Sequence, residues 1–455
     1  MRVALRYVGF LFAVMCAFPT VAQDNSAELI EVIVGLLDDE DAEMRSLAYE
    51  RVRAENNGEA ATTAFAAELP RLKSEAQVGL LRALAIRGDN AARPAVLDLL
   101  AMSDDTSVRV AAIESLGKLG EPEDAKLLVQ TLAKSTQLER TAAAKSLVDL
   151  RGSTVPQLLV AEMKRTDSPI RVDAIEILIA RRELDSISDM AAVAIHGNEA
   201  VRRAAMIGLS ELAGPEQIPA MLKGILKASP GKERDAAEKC LVSICERINN
   251  PEERAAPILA AMKSTTADEQ TNLLSALGRV GGSDALKTIL SALENSQTHS
   301  AGLRALCNWP DASVAPRLIE LVQTDTHPGH ATTALRALIR VAPVADDRTD
   351  SQRLELLKSA MTMCTRDTER IFVLDRCRTI RTLDSLNYVL SFVDQPKLAE
   401  QACLSIVEMA HHREFRDAHK PIFMEALDRV IATSKNPVTV DRAQRYKQGH
   451  TWARP

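Results

Sequence analysis

The sequence is poor in the residues that usually announce a site. Aromatic residues make up 3% of 455, and glycine occurs 19 times. So few aromatics exclude a ring-lined pocket, and so little glycine argues against a phosphate-cradling loop fold. No Gly-x-Ser-x-Gly elbow, no Gly-rich phosphate loop and no His-Glu-x-x-His pair occurs, and there is no Cys-x-x-Cys-His haem attachment. Beyond residue 22 no stretch reaches the ~18 continuous apolar residues that a membrane span needs. Block-like basic runs, the footprint of nucleic-acid binding, are also missing. What remains is 46% hydrophobic, built from Ala, Leu, Ile and Val, the composition of close-packed helices.

The first 22 residues stand apart. Arg2 and Arg6 precede an apolar stretch from Val8 to Phe18, and Thr20-Val21-Ala22 offers the small residues that a signal peptidase reads. We expect a signal peptide over 1–22, cleaved near Ala22, and a periplasmic or secreted chain with no membrane span in its mature form. Cleavage lowers Lys plus Arg from 56 to 54 against 62 acids, leaving a net charge of −8. A protein partner is then expected, and no nucleic acid.

Self-similarity dominates the rest. VRVAAIESL around Arg109 aligns with ERTAAAKSL at Arg140, IRVDAIEIL at Arg171, VRRAAMIGL at Arg202 and ERDAAEKCL at Arg234, at steps of 31, 31, 31 and 32. Upstream, Arg45 and Gln77 keep the register. Downstream it continues loosely at Gln270, His299, Ala331, Arg370 and Ala399, giving twelve units and a candidate thirteenth near Val440. Each unit carries two helical stripes, such as Ala125, Leu128, Val129 and Leu132, then Ala112, Ile113, Leu116 and Leu119. Pro94, Pro122, Pro156, Pro215, Pro257 and Pro316 fall near the starts of first helices. Gly120, Gly152, Gly214 and Gly281 close second helices, where a left-handed residue is expected. Asp41, Asp105, Asp167 and Asn198 lie four residues before a register arginine, as N-caps.

Helices of ~12 residues are marginal alone, and a hairpin of two leaves an apolar face wet. Stacking buries it, which predicts an all-α, right-handed α-solenoid of about twelve two-helix repeats. Asp104, Asp105, Val108, Arg109, Ala111, Ala112, Leu116, Gly117, Leu119 and Gly120 resemble the short HEAT repeat, in the variant also found in phycobilisome-lyase HEAT-like proteins, here of an exported bacterial type. That resemblance implies an Asp–Arg ladder: Asp41–Arg45, Asp105–Arg109, Asp167–Arg171 and Asn198–Arg202, with gaps at Arg140 and Arg234, where Ser/Thr or Gly residues replace the ladder acid.

The regular register, 23–343, breaks at VAPVADDRTDSQR (341–353), and the next step is 39. Seven of the ten aromatics beyond residue 22 follow it, so 344–455 reads as divergent repeats and a cap. No residue presents itself as catalytic, and no cofactor is expected. His327 and His330 have only Asp325 beside them, and His411, His412 and His419 end a helix; neither group supplies the converging ligands of a metal site. Cys240, Cys245, Cys307, Cys364, Cys377 and Cys403 leave pairing open, with buried packing the default. The sequence points to an exported scaffold binding protein along a concave face rather than to an enzyme. The alternatives are a HEAT-like lyase-type or cofactor-linked enzyme, and an accessory subunit of a secreted redox or carbohydrate-acting complex.

Overall fold

The computed structural model describes residues 24–54 and 58–452, and the leader expected over 1–22 lies outside them. Among the described residues there are helices and turns and no strand. The chain divides into two compact units, Met1–Ala213 and Gly214–Pro455.

Among its described residues the amino-terminal unit has twelve α-helices. They are α1 (Asp24–Leu37), α2 (Ala42–Ala54), α3 (Gly58–Ala67), α4 (Ser74–Arg87), α5 (Arg93–Met102), α6 (Thr106–Leu119), α7 (Ala125–Lys134), α8 (Gln137–Asp149), α9 (Thr154–Lys164), α10 (Arg171–Ala180), α11 (Ile187–His196) and α12 (Glu199–Leu212). Odd-numbered helices are first helices and even-numbered ones second helices. Each second helix packs on its own first helix and on the second helix one repeat away, while the first helices touch one another less.

Small residues explain the tight second-helix row. Ala112, Ala143 and Ser146 are buried between helices. A side-chain carbon on Gly117 would lie 2.9 Å from the Cα of Ser146, so only glycine permits that approach of α6 to α8. The serine six residues past the register position turns this closeness into a bond. Ser115 Oγ donates to Leu81 O at 3.1 Å, and Ser146 Oγ to Ile113 O at 2.7 Å, one repeat back each time. The apolar stripe works as expected: Ile113, Leu116, Leu119 and Leu128 are fully buried.

The carboxy-terminal unit continues the hairpins. It contains α13 (Ile218–Lys227), α14 (Lys232–Cys245), α15 (Ala256–Met262), α16 (Ala267–Val280), α17 (Ser283–Glu294), α18 (His299–Cys307), α19 (Ala315–Thr324), α20 (Pro328–Val341), α21 (Asp350–Met363), α22 (Asp367–Cys377), α23 (Leu383–Leu390), α24 (Ala399–His411), a short α25 (Arg413–Ala418), α26 (Lys420–Thr433) and α27 (Pro437–Lys447). Each unit is an α-solenoid of two-helix repeats, with six hairpins among the described residues of the first and seven among those of the second, the last around Val440. The 39-residue step is absorbed by the turn 342–349 and by α21, which has 14 residues where first helices commonly have ten. Late aromatics fill the last hairpins: Phe423 and Tyr446 are buried, and Arg442 stacks between the rings of Tyr446 and Trp452.

Two local expectations fail. Gly120 and Gly214 sit at φ −71° and −98°, backbone that any residue adopts, whereas Gly152 and Gly281 are at +109° and +77°. Asp167 does not cap α10. Pro169 bars a helical conformation at the residue before it, so the helix begins at Arg171, after Ile170. The six cysteines are free thiols, five of them buried. No helix among the described residues is long and apolar enough to cross a membrane.

Candidate functional site

Most polar register residues share a task, though not the expected one. Asp105 and Asn198 are N-caps, taking the amides of Ser107 at 2.8 Å and Val201 at 3.0 Å, and Asp41 takes that of Glu43 at 2.9 Å. Their carboxylate and amide oxygens are therefore spent on backbone, and Asp167 turns instead to Arg165 at 3.2 Å. Asp105–Arg109 and its equivalents thus do not form the ladder inside each repeat.

The arginines reach in two other directions. Backward, they donate to the orphan carbonyls that end the first helix of their own hairpin. Arg45 bonds Asp39 O, Arg109 bonds Leu100 O, Arg171 bonds Met163 O, Arg202 bonds Gly197 O and Arg234 bonds Ala228 O, at 2.8 or 2.9 Å. Gln77 and Gln270 do the same to Leu69 O and Met262 O, and Arg370 to Cys364 O. A cation there satisfies unpaired acceptors and meets the negative end of the helix dipole. Forward, the slot reaches the next repeat: Arg45 pairs with Glu75 at 3.4 Å, Arg109 with Glu139, and Arg140 with Asp173 at 3.2 Å. The expected gaps at Arg140 and Arg234 are closed, the latter by Asn272 at 2.9 Å. Burial opposes charge on Glu139, yet hydrogen bonds from Arg109 and from the Thr136 amide hold its carboxyl below the usual range.

In the carboxy-terminal unit, second helices α14, α16, α18 and α20 line an open trough of about 510 Å³. Its floor is a polar network. Glu238, almost fully buried, accepts from Arg279 Nε and Ser275 Oγ, both at 2.8 Å; Arg279 also pairs with Asp235 at 3.2 Å. Ser275 Oγ in turn accepts from Asn308 at 3.0 Å. Arg304 lines the same trough, is exposed, and has no hydrogen bond or ion pair among the described residues. Cys307 lies there too, but burial pushes its thiol up to about 12, so it carries no thiolate chemistry at neutral pH.

At the amino end of α18 the register slot holds His299 instead of arginine. Its Nδ1 lies 2.7 Å from Leu293 O, the carbonyl that an arginine would take. Its Nε2 faces the next repeat and lies 3.1 Å from Asp325 Oδ2. The same carboxylate oxygen is 3.2 Å from His330 Nδ1, and His330 Nε2 is 3.4 Å from Ser300 Oγ. One donor atom from each of His299, Asp325 and His330 thus lies within 4.8 Å of the others. The Leu293 carbonyl and then the Asp325 carboxylate raise the pKa of His299 above its ordinary value. Asp325 is opposed by burial but lowered by the His327 amide and by His299.

The sequence reading set His327, Asp325 and His330 together and missed His299, because His299 stands in a slot that reads as structural. The signal was present: a ligand-type side chain at a register position, one repeat before His-x-x-His. Structure removes His327 from the cluster. Its Nδ1 accepts the Gly329 amide at 3.2 Å and caps α20. His411 is held by the Tyr446 hydroxyl at 2.9 Å, and the His419 ring meets the Phe415 ring edge-on, so the second histidine group does not converge.

Residues 62–148, α3 to α8, match the HEAT-repeat family model. That segment is similar to HEAT repeats. No curated protein sequence matches the chain. Among solved structures it is similar to the karyopherin Kap121p bound to Nup53p, at 13% identity and a TM-score of 0.45 over 94% of this chain and 57% of that one. It is likewise similar to importin beta, at 15% identity and a TM-score of 0.36 over 98% and 71%. The chain spans about half the length of the Kap121p chains that it matches.

Proposed function

We propose that this is an exported scaffold that binds another protein along the row of second helices, the expected concave face of the repeats. The observation that carries the reading is the trough over α14, α16, α18 and α20, where Arg304 stands unpaired beside a saturated network. A guanidinium with its fork unused is the natural seat of a partner's carboxylate. Four helices each contribute side chains, so the surface offers many shallow contacts, which suits a polypeptide better than a small molecule. Export rests on Arg2, Arg6, the apolar stretch Val8–Phe18 and Ala22.

The test is photo-crosslinking in the native cell envelope, with the reactive side chain placed at Thr271, Arg304 or Lys287. Thr271 lines the trough, while Lys287 is exposed on first helix α17. A recurrent protein adduct from 271 and 304 but not from 287 supports the proposal. Equal labelling at all three positions, or none, refutes it. Amino-terminal sequencing of the same material tests export: the mature chain should start at Gln23.

A further inference from the structure

The cluster at the amino ends of α18 and α20 holds a bonding problem that a neutral histidine does not solve. Leu293 O can only accept, so the hydrogen of a neutral His299 ring sits on Nδ1. The Nε2 lone pair then points at Asp325 Oδ2 3.1 Å away, an acceptor facing an anionic acceptor. A second imidazole nitrogen, His330 Nδ1, points at the same oxygen from 3.2 Å. The Asp325 side chain is only 7% exposed, while the rings of His299 and His330 stay partly open to solvent. Something positive belongs between these atoms.

We propose that His299 Nε2, Asp325 and His330 Nδ1 form a binding site for Zn²⁺, with its fourth position open to water or to a side chain from a bound protein. Three observations support it independently. The donor set, two imidazoles and one carboxylate with one position open, is a recognised zinc set. Bonds of about 2.0–2.1 Å to a tetrahedral zinc place ligand atoms about 3.3 Å apart, close to the 3.1 and 3.2 Å found here. Each histidine also has its outer nitrogen engaged: His299 on a backbone carbonyl and His330 on Ser300 Oγ. Those are the supports that fix ring orientation and tautomer around a metal. Asp325 is itself steadied by the His327 amide at 2.8 Å on its other oxygen. The site joins two consecutive repeats, since α18 supplies His299, the turn after α19 supplies Asp325 and the first turn of α20 supplies His330.

The experiment is calorimetric titration of Zn²⁺ into untagged, chelator-stripped full-length chain, with Co²⁺ absorption as a reporter of coordination. One equivalent should bind tightly, and Co²⁺ should show the intense visible bands of a four-coordinate site. His299→Arg retains the carbonyl bond typical of the slot, so it preserves the repeat while removing a ligand; it should abolish that equivalent. Asp325→Asn should weaken binding at least tenfold, and Ser300→Ala roughly tenfold through the lost support. His327→Asn should bind as the parent does. Thermal unfolding of each variant checks that the repeats remain folded. Absence of a tight equivalent in the parent overturns the proposal, as does parent-like binding by a folded His299→Arg chain. In either case the positive species at Asp325 is the His299 proton.

Discussion

Arg109 in the amino-terminal unit and His299 in the carboxy-terminal unit occupy one slot and make the same two contacts. Each reaches back to a carbonyl ending a first helix, Leu100 O or Leu293 O, and forward to an acid of the next repeat, Glu139 or Asp325. The difference is when they are charged. A guanidinium is protonated at every accessible pH, so the Arg109 clasp is permanent. An imidazole is a clasp only when a proton or a metal completes it. The same position in a repeat can therefore be a fixed strut in one unit and a conditional one in the other.

The comparison presumes that the register orders a stacked core, and the harshest test strikes there. Leu116→Asp places an unpaired carboxylate in a site with no exposure and should cost at least about 4 kcal/mol, unfolding neighbouring repeats together. An unchanged melting curve would disprove the register. Next is Gly278→Ala. The added carbon would lie 2.1 Å from Ala305 O on the helix that begins with His299, so α18 must move, at about 1–3 kcal/mol by denaturant titration. Arg109→Ala should then cost about 2 kcal/mol, because it strands Glu139, 7% exposed, although Arg109's own partial exposure discounts the loss. His299→Ala, measured with chelator at alkaline pH, should cost less, about 1 kcal/mol or below, as a neutral ring contributes only its carbonyl bond.

The smallest effect discriminates best. The pKa of His299 is raised in the folded chain, so its stabilisation is complete below the ordinary histidine value and fades as pH rises through the raised one. Asp325 and, unfavourably, Arg317 act on it from the adjoining elements, and the His330 ring lies beside its own. A double-mutant cycle on His299 and Asp325, with chelator, should shrink from pH 5.5 to pH 9, while the Arg109–Glu139 cycle stays level. Toward acid the second cycle weakens instead: Glu139 is lowered, so its contribution is complete above the ordinary carboxylate value and disappears as pH falls through the lowered one. Parallel pH profiles for the two cycles would dissolve the distinction between the slots.

The repeats were legible because their cause is local and recurs. Proline near helix starts, Asp105 or Asn198 as caps and the Leu116 stripe each follow from a few neighbouring residues. Partnership was not legible. Arg109's acid is 30 residues away on another helix, while Asp105, four residues away, looked suitable and was already spent on backbone amides. Asp167 failed as a cap because a proline two residues on outweighed its own propensity. The metal-type cluster escaped for the same reason as the ladder: His299 meets Asp325 only once one hairpin lies against the next. Arg304 shows the converse limit, since being unpaired is a property of surroundings rather than of residue type.

The arginines ending second helices in the amino-terminal unit give the stack a grain. Arg87 donates to Val52 O, and Arg181 to Leu147, Val148 and Leu150 O, always one hairpin toward the amino terminus. Arg181 is only 10% exposed. Trimming hairpins from the carboxyl end exposes carbonyls that water can serve. Trimming them from the amino end, up to residue 150, deprives a sheltered guanidinium of all three backbone acceptors at once. Shortened versions of this unit should therefore tolerate loss of their last hairpin better than loss of their first, and a library of nested deletions would show a one-sided survival curve.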